Sequence, residues 1–134
     1  MDKEQLITFA AKELISQANL DVINEVFSTD YIAHSGDKKY QGHDFLKRWT
    51  KQMHSAIQDI TVDQILFLSQ DEQNITWQRT LTGRHVNNLR GIPATNKKVT
   101  WTEIVVSRFE NNKIIEEWVV SELAGELMLK QQKK

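Results

Sequence analysis

Two runs decide how this chain folds: Ile75-Thr-Trp-Gln-Arg-Thr-Leu-Thr82 and Val99-Thr-Trp-Thr-Glu-Ile-Val-Val-Ser-Arg-Phe109, the second continuing through Glu110-Asn-Asn-Lys113 into Ile114-Ile-Glu-Glu-Trp-Val-Val120. In the first run Ile75, Trp77 and Leu81 alternate with polar residues, the period of a half-buried strand, and Arg79 interrupts the apolar row. The second run is rich in β-branched and aromatic residues, as strands are. Asn111-Asn112 supplies a tight turn, because asparagine tolerates the positive φ such a turn requires. Ile114 to Val120 returns as a third strand. A sheet with one apolar face is stable when something covers that face.

The preceding residues have the pattern of such a cover. Leu6, Ile7, Phe9, Ala10, Leu14 and Ile15 form a helical stripe over 3–18, ended near Asn19. Asp21 is placed to cap a short helix carrying Val22, Ile23, Val26 and Phe27. Thr29-Asp30 reads as a break, Tyr31 to His34 as a short extended piece, and Ser35 to Lys39 as a loop. Gly42-His-Asp44 opens a third helix with Phe45, Leu46, Trp49, Met53 and Ile57 at spacings of three and four, so Trp49 and Met53 share a face. Asp59 to Leu68 is a further strand, and Asp71 to Asn74 its turn. Pro93, within Arg90-Gly-Ile-Pro-Ala-Thr95, keeps the long connection irregular. Ser121 to Gln132 has helical composition. Helices first and an antiparallel sheet after them make an α+β plan, one domain spanning 1–134.

Composition removes several function classes. A net charge of −1 gives no bulk attraction for nucleic acid, and the basic residues at 130–134 read as a solvated tail. With no cysteine there is no disulfide, thiolate ligand or thiol nucleophile. The charged Met-Asp-Lys-Glu-Gln start lacks the apolar run of a signal peptide, and no apolar stretch is long enough to span a membrane. A cytoplasmic location is expected.

Leu81-Thr-Gly-Arg-His85, Gly91-Ile-Pro-Ala-Thr95 and Arg108-Phe-Glu-Asn-Asn-Lys-Ile-Ile-Glu-Glu-Trp118, with Asp30-Tyr-Ile-Ala-His34 and Gly42-His-Asp-Phe45, closely resemble the SnoaL-like polyketide cyclases. These belong to the superfamily typified by nuclear transport factor two and ketosteroid isomerase. The resemblance runs over residues 16–130 or so. It implies a cone-shaped, curved mixed sheet wrapped around the N-terminal helices, a pocket between them, and a homodimer formed through the sheet. In those cyclases an Asp just after the position of Trp118 is the general acid/base. Val119 stands there in this chain, and valine cannot exchange a proton.

Three residues are the candidates for chemistry. His34 is read as a proton-transfer group, since histidine is the side chain suited to acid–base work near neutrality, or as a histidine bonded to a loop backbone. Arg79 lies on an apolar strand face, where a charge needs a partner; if the strands place it opposite Glu103, an ion pair is expected, either orienting a substrate or purely structural. Trp49, Met53, Trp77, Trp101, Glu117 and Trp118 are the candidate pocket lining for a small apolar or aromatic molecule, with core and interface packing as the plainer alternative. Trp118 and Val119 adjoin on a strand, so at most one of them faces such a pocket. No metal-ligand spacing occurs among His43, His54, His85 and the carboxylates, and no phosphate loop or nucleophile elbow is present; neither metal nor organic cofactor is expected. Two classes follow: a cyclase, isomerase or hydrolase working by acid–base chemistry, or a non-catalytic protein binding a small hydrophobic ligand. A dimeric interaction protein with a filled core is the third.

Overall fold

The computed structural model describes residues 1–131. The tail expected to be solvated therefore lies largely outside the described residues. Helix α1 (Lys3–Ala10) begins in a capping box: Asp2 accepts from the Gln5 backbone N–H at 2.8 Å, and the Gln5 side chain accepts from the Asp2 N–H at 2.9 Å. The helix continues as a π-helical stretch, Ala11–Ser16, and stops where Ala18 takes a φ of 56°. The next cap is Asn19, not the expected Asp21: its side chain accepts from the Asp21 N–H at 3.2 Å, leading into a 3-10 turn (Leu20–Val22) and α2 (Ile23–Val26).

Strand β1 (Phe27–Ser35) runs through Thr29-Asp30, where the sequence suggested a break, and a register irregularity between Phe27 and Ile32 is all that marks it. Part of the expected loop is strand β2 (Lys38–Gln41), because β1 offers it an antiparallel edge. Helix α3 (Gly42–Ala56) buries Leu46, Thr50, Met53 and Ala56, with Phe45 and Trp49 at the margins of that face. Strands β3 (Ile57–Gln70), β4 (Asn74–His85), β5 (Lys98–Glu110) and β6 (Lys113–Ser121) follow, and α4 (Leu123–Gln131) closes the described chain.

The strands form one sheet in the order β2-β1-β6-β5-β4-β3, with β1 parallel to β6 and every other pair antiparallel. It is the curved mixed sheet that the resemblance implied, and it is unclosed. Three irregularities in the β3–β4 register bend its edge. The β5–β6 turn is the tight one expected, with Asn111 at φ 52° and Asn112 at φ 59°.

Helices cover one sheet face only. Two apolar clusters fill the space between. The first joins α1, α2 and Leu46 to Tyr31, Ile75, Trp77, Val105 and Phe109; the second joins Met53, Ala56, Ile57 and α4 to Leu81, Val99 and Trp101. Gly83 sits under the second, where a Cβ would come within 2.4 Å of Ile57 Cγ2 and 3.1 Å of the Gln58 carbonyl oxygen. Ile57 is itself fully buried, so it has nowhere to retreat. Gly83→Ala is expected to destabilise the fold by about 1–3 kcal/mol, read by urea unfolding; a change near zero would mean that β3 yields at this point. Among the described residues no helix is long and apolar enough to cross a membrane.

Candidate active site on the inner face of the sheet

Alternation places every second residue of β4, β5 and β6 against the helices. On β4 these are Ile75, Trp77, Arg79, Leu81, Gly83 and His85; on β5 they are Val99, Trp101, Glu103, Val105, Ser107 and Phe109. Registers Arg79↔Glu103 and Ser107↔Glu117 carry the same face across to β6. Among these mostly apolar residues Arg79 and Glu103 stand at the boundary between the two clusters, Ser107 and Glu117 stand beside the first, and all four are buried.

They form a connected polar network. The Arg79–Glu103 pair that the sequence pointed to is present: Nη2 lies 2.6 Å and Nε 2.7 Å from Glu103 Oε1. Glu103 Oε2 accepts from Trp101 Nε1 at 3.1 Å and from the Ser121 hydroxyl at 2.7 Å. The Arg79 guanidinium carbon sits 5.2 Å from the centre of the Trp77 ring, a cation–π distance. Trp77 Nε1 donates to Ser107 Oγ at 2.9 Å, and the Ser107 hydroxyl donates in turn to Glu117 Oε2 at 2.5 Å. The Tyr31 hydroxyl donates to Glu117 Oε1 at 2.8 Å.

Their surroundings drive the two carboxyls in opposite directions. Burial pushes Glu117 above the ordinary glutamate range, outweighing the Ser107 hydrogen bond, the nearby Arg79 charge and the Tyr31 hydrogen bond. Burial also acts on Glu103, but the Arg79 charge with the Ser121, Arg79 and Trp101 hydrogen bonds outweighs it, and the carboxyl is held below its usual range. Tyr31 is pushed well above a normal phenol by burial and by Glu117, so it stays a hydrogen-bond donor. The site thus holds a fixed cation, a fixed anion and a carboxyl able to take or give a proton nearer neutrality.

Of the other sequence candidates, Trp49, Met53 and Trp101 share the second apolar cluster, and Trp77 lies in the first. His34 and Trp118 lie on the opposite face, away from the helices. Their rings stack at 5.0 Å and 9°, and His34 Nε2 is 2.7 Å from Glu116 Oε2, with Arg108 Nη1 3.5 Å from the other oxygen of that carboxylate. The structure therefore brings Arg79, Glu103 and Glu117 together and leaves His34 and Trp118 outside. Tyr31 and Ser107 were not singled out from sequence, although Ser107 interrupts the row of Val105 and Phe109 just as Arg79 interrupts its own. Among the described residues no three His, Asp or Glu side chains gather as metal ligands.

A family model described as SnoaL-like polyketide cyclase matches residues 5–131. Among solved structures, one provisionally described as a SnoaL-like polyketide cyclase from Jannaschia sp. CCS1 superposes with a TM-score of 0.85 at 13% identity, covering 98% of this chain and 92% of that one. A protein from Acidithiobacillus ferrooxidans, provisionally described as a polyketide cyclase, gives 0.82 at 19% identity with 100% of both chains covered. AclR of Streptomyces galilaeus, provisionally described as a hydroxylase, gives 0.78 at 20% identity over 98% of this chain and 96% of that one. At these identities the likeness shows a shared fold. Among curated proteins nothing matches.

Proposed function

This chain belongs to the SnoaL-like polyketide cyclase family, and from that premise we propose that it is an acid–base enzyme acting on a small, largely apolar carbonyl compound. The observation that supports this reading is the pair of buried carboxyls pushed apart, Glu117 up and Glu103 down, both within reach of the Arg79 charge. Glu117 and Val119 lie on the same side of β6, roughly 7 Å apart along the strand. A glutamate two residues back, on the longer side chain, takes over the proton-transfer role that valine cannot perform.

In this reading the Glu117 carboxylate removes a proton from the carbon next to a carbonyl. The C–H electron pair becomes the enolate double bond, and the charge that collects on oxygen is met by Arg79. Arg79 uses Nε and Nη2 on Glu103, which leaves its Nη1 edge for the substrate. The enolate carbon then attacks a second carbonyl or is reprotonated elsewhere, and Glu117 returns the proton to the new alkoxide or carbon. Trp77, Trp101 and Met53 supply the apolar wall that keeps water out.

The test is proton–deuterium exchange next to the carbonyl in a panel of 1,3-dicarbonyl compounds, followed by NMR. Catalysed exchange that disappears in Glu117→Gln supports the proposal. Saturable binding with no exchange points instead to the ligand-binding protein, the reading favoured by a network whose hydrogen bonds already close on one another.

We also propose a homodimer through the uncovered sheet face. Leu66, Trp118 and Val120 lie on it, 41%, 40% and 70% exposed. Sedimentation at micromolar concentration is expected to show twice the 15.6 kDa chain mass; a monomer at that concentration removes the proposal.

A further inference from the structure

The network lies beneath the surface: Arg79, Glu103 and Glu117 are 7%, 4% and 7% exposed. Two surface depressions, of about 380 and 350 Å3, lie around Phe9 and Phe67 and around Glu72 and Asn112, and neither touches Arg79, Glu103 or Glu117. Some element must move, and α4 is the one built to do so. It is nine residues long and last among the described elements, and it buries only Leu123 and Leu127. Those two leucines sit in the cluster that contains Trp101, next to Glu103 on β5. Gly125 lies in the first turn of the helix with nothing within 4 Å of where a Cβ would be, so it weakens α4 without serving any close contact. Helix α1, by contrast, buries Leu6, Ile7 and Ala10 and runs on into a second buried stretch.

The first turn of α4 is tied to the site by one side chain. The Ser121 hydroxyl donates to Glu103 Oε2 at 2.7 Å and accepts from the Leu123 backbone N–H at 3.2 Å. We propose that α4 is the movable cover of the Arg79–Glu103–Glu117 site and that Ser121 couples its seating to the Glu103 carboxylate. The proposal rests on the reading of that network as the site. Lifting α4 uncovers Trp101, breaks one of the hydrogen bonds that fix Glu103, and opens the side of the network away from the first apolar cluster.

Hydrogen exchange of the whole chain, read by mass spectrometry without substrate, tests the hinge. Amides of 123–131 are expected to exchange at least a hundred-fold faster than those in the middle of β4 and β5, and to do so without global unfolding. Gly125→Ala is expected to slow exchange in α4 by roughly two- to five-fold, the size of the Gly-to-Ala helix preference, while β5 is unchanged. Leu127→Ala is expected to speed it on the order of a hundred-fold. After correction for intrinsic rates, acid that protonates Glu103 is expected to loosen α4 in the native chain, and Ser121→Ala to abolish that dependence. A merely structural serine would leave it in place.

Acrylamide quenching reads the cover itself. In a Trp49→Phe, Trp118→Phe background the remaining indoles are Trp77, in the first cluster, and Trp101, under α4, and Gly125→Ala is expected to slow quenching of the Trp101 component by the same two- to five-fold. If α4 exchanges only with global unfolding, or opens without exposing Trp101, the proposal is overturned. None of these measurements involves turnover, so α4 can prove to be the cover even if Glu117 proves not to be catalytic, and the reverse.

Discussion

Arg79→Met is expected to lower the unfolding free energy by about 3–5 kcal/mol, because it leaves the Glu103 carboxylate buried without its counter-charge. Glu103 is 4% exposed and keeps only the Trp101 and Ser121 donors once the guanidinium is gone. In a chain of this size the loss corresponds to roughly 10–20 °C in Tm. The double variant Arg79→Met, Glu103→Leu is expected to recover most of it, since removing both charges also removes the need to bury either. The pH dependence separates this from simple loss of packing. The folded-state value of Glu103 is depressed, so its stabilising contribution is present above the unfolded value near 4.5 and disappears as pH falls through the folded value. The cost of Arg79→Met should therefore shrink in acid, where Glu103 can take a proton instead of a partner. Urea unfolding of native, single and double variants at several pH values makes the comparison. A single-variant cost below about 1 kcal/mol at neutral pH would mean that water reaches Glu103 and the pair is solvated.

Much of this architecture was legible because it rests on strict alternation. Period two puts Arg79 in the apolar row of β4 and Glu103 in that of β5, so the two share a face if the long connection sets them opposite, and the register does pair them. The same rule puts Glu117 and Trp118 on opposite sides. It could not tell which side faces the helices, because β6 carries an Ile, a Glu and a Val on each. His34 shows the same ambiguity. Its strand alternates Tyr31 and Ala33 with Ile32 and His34, and only the parallel pairing with β6 decides that the histidine meets Trp118 outside. Long-range parallel pairing leaves no local trace in sequence, whereas a tight antiparallel hairpin does. The π-helical stretch at Ala11–Ser16 and the Asn19 cap are local in another sense: they follow from how the chain leaves α1, which a 3.6-residue stripe does not record. Ser107 was readable in principle, as a polar residue in a buried row, but a hydroxyl interrupts a strand far less conspicuously than a guanidinium.

Glu117→Gln carries the functional reading. If the carboxyl moves the proton, the amide variant should exchange the substrate's α-proton about 10²–10⁴-fold more slowly, with KM little changed. Glutamine fills the same volume and still accepts from one hydroxyl, but its NH2 now faces the other, so either Tyr31 or Ser107 must turn to accept where it had donated. Stability gives an independent signal. Below the unfolded value near 4.5 the carboxyl is protonated in both states and contributes nothing that depends on pH. Above it the unfolded chain ionises freely, while the buried carboxyl either keeps its proton or ionises at a cost. Native stability is thus eroded as pH rises from that value to the raised folded value of Glu117, and is level beyond it. An amide at this position cannot ionise, so the variant should gain on the native chain across that same window, in the direction opposite to the Glu103 effect. Urea unfolding on both sides of pH 4.5 resolves the two, because the Glu103 window lies below that value and the Glu117 window above it. Should the pH signature disappear in the variant while proton exchange persists within about ten-fold of native, Glu117 is a buried acid without a catalytic role. The network then serves to hold a ligand and not to transform it.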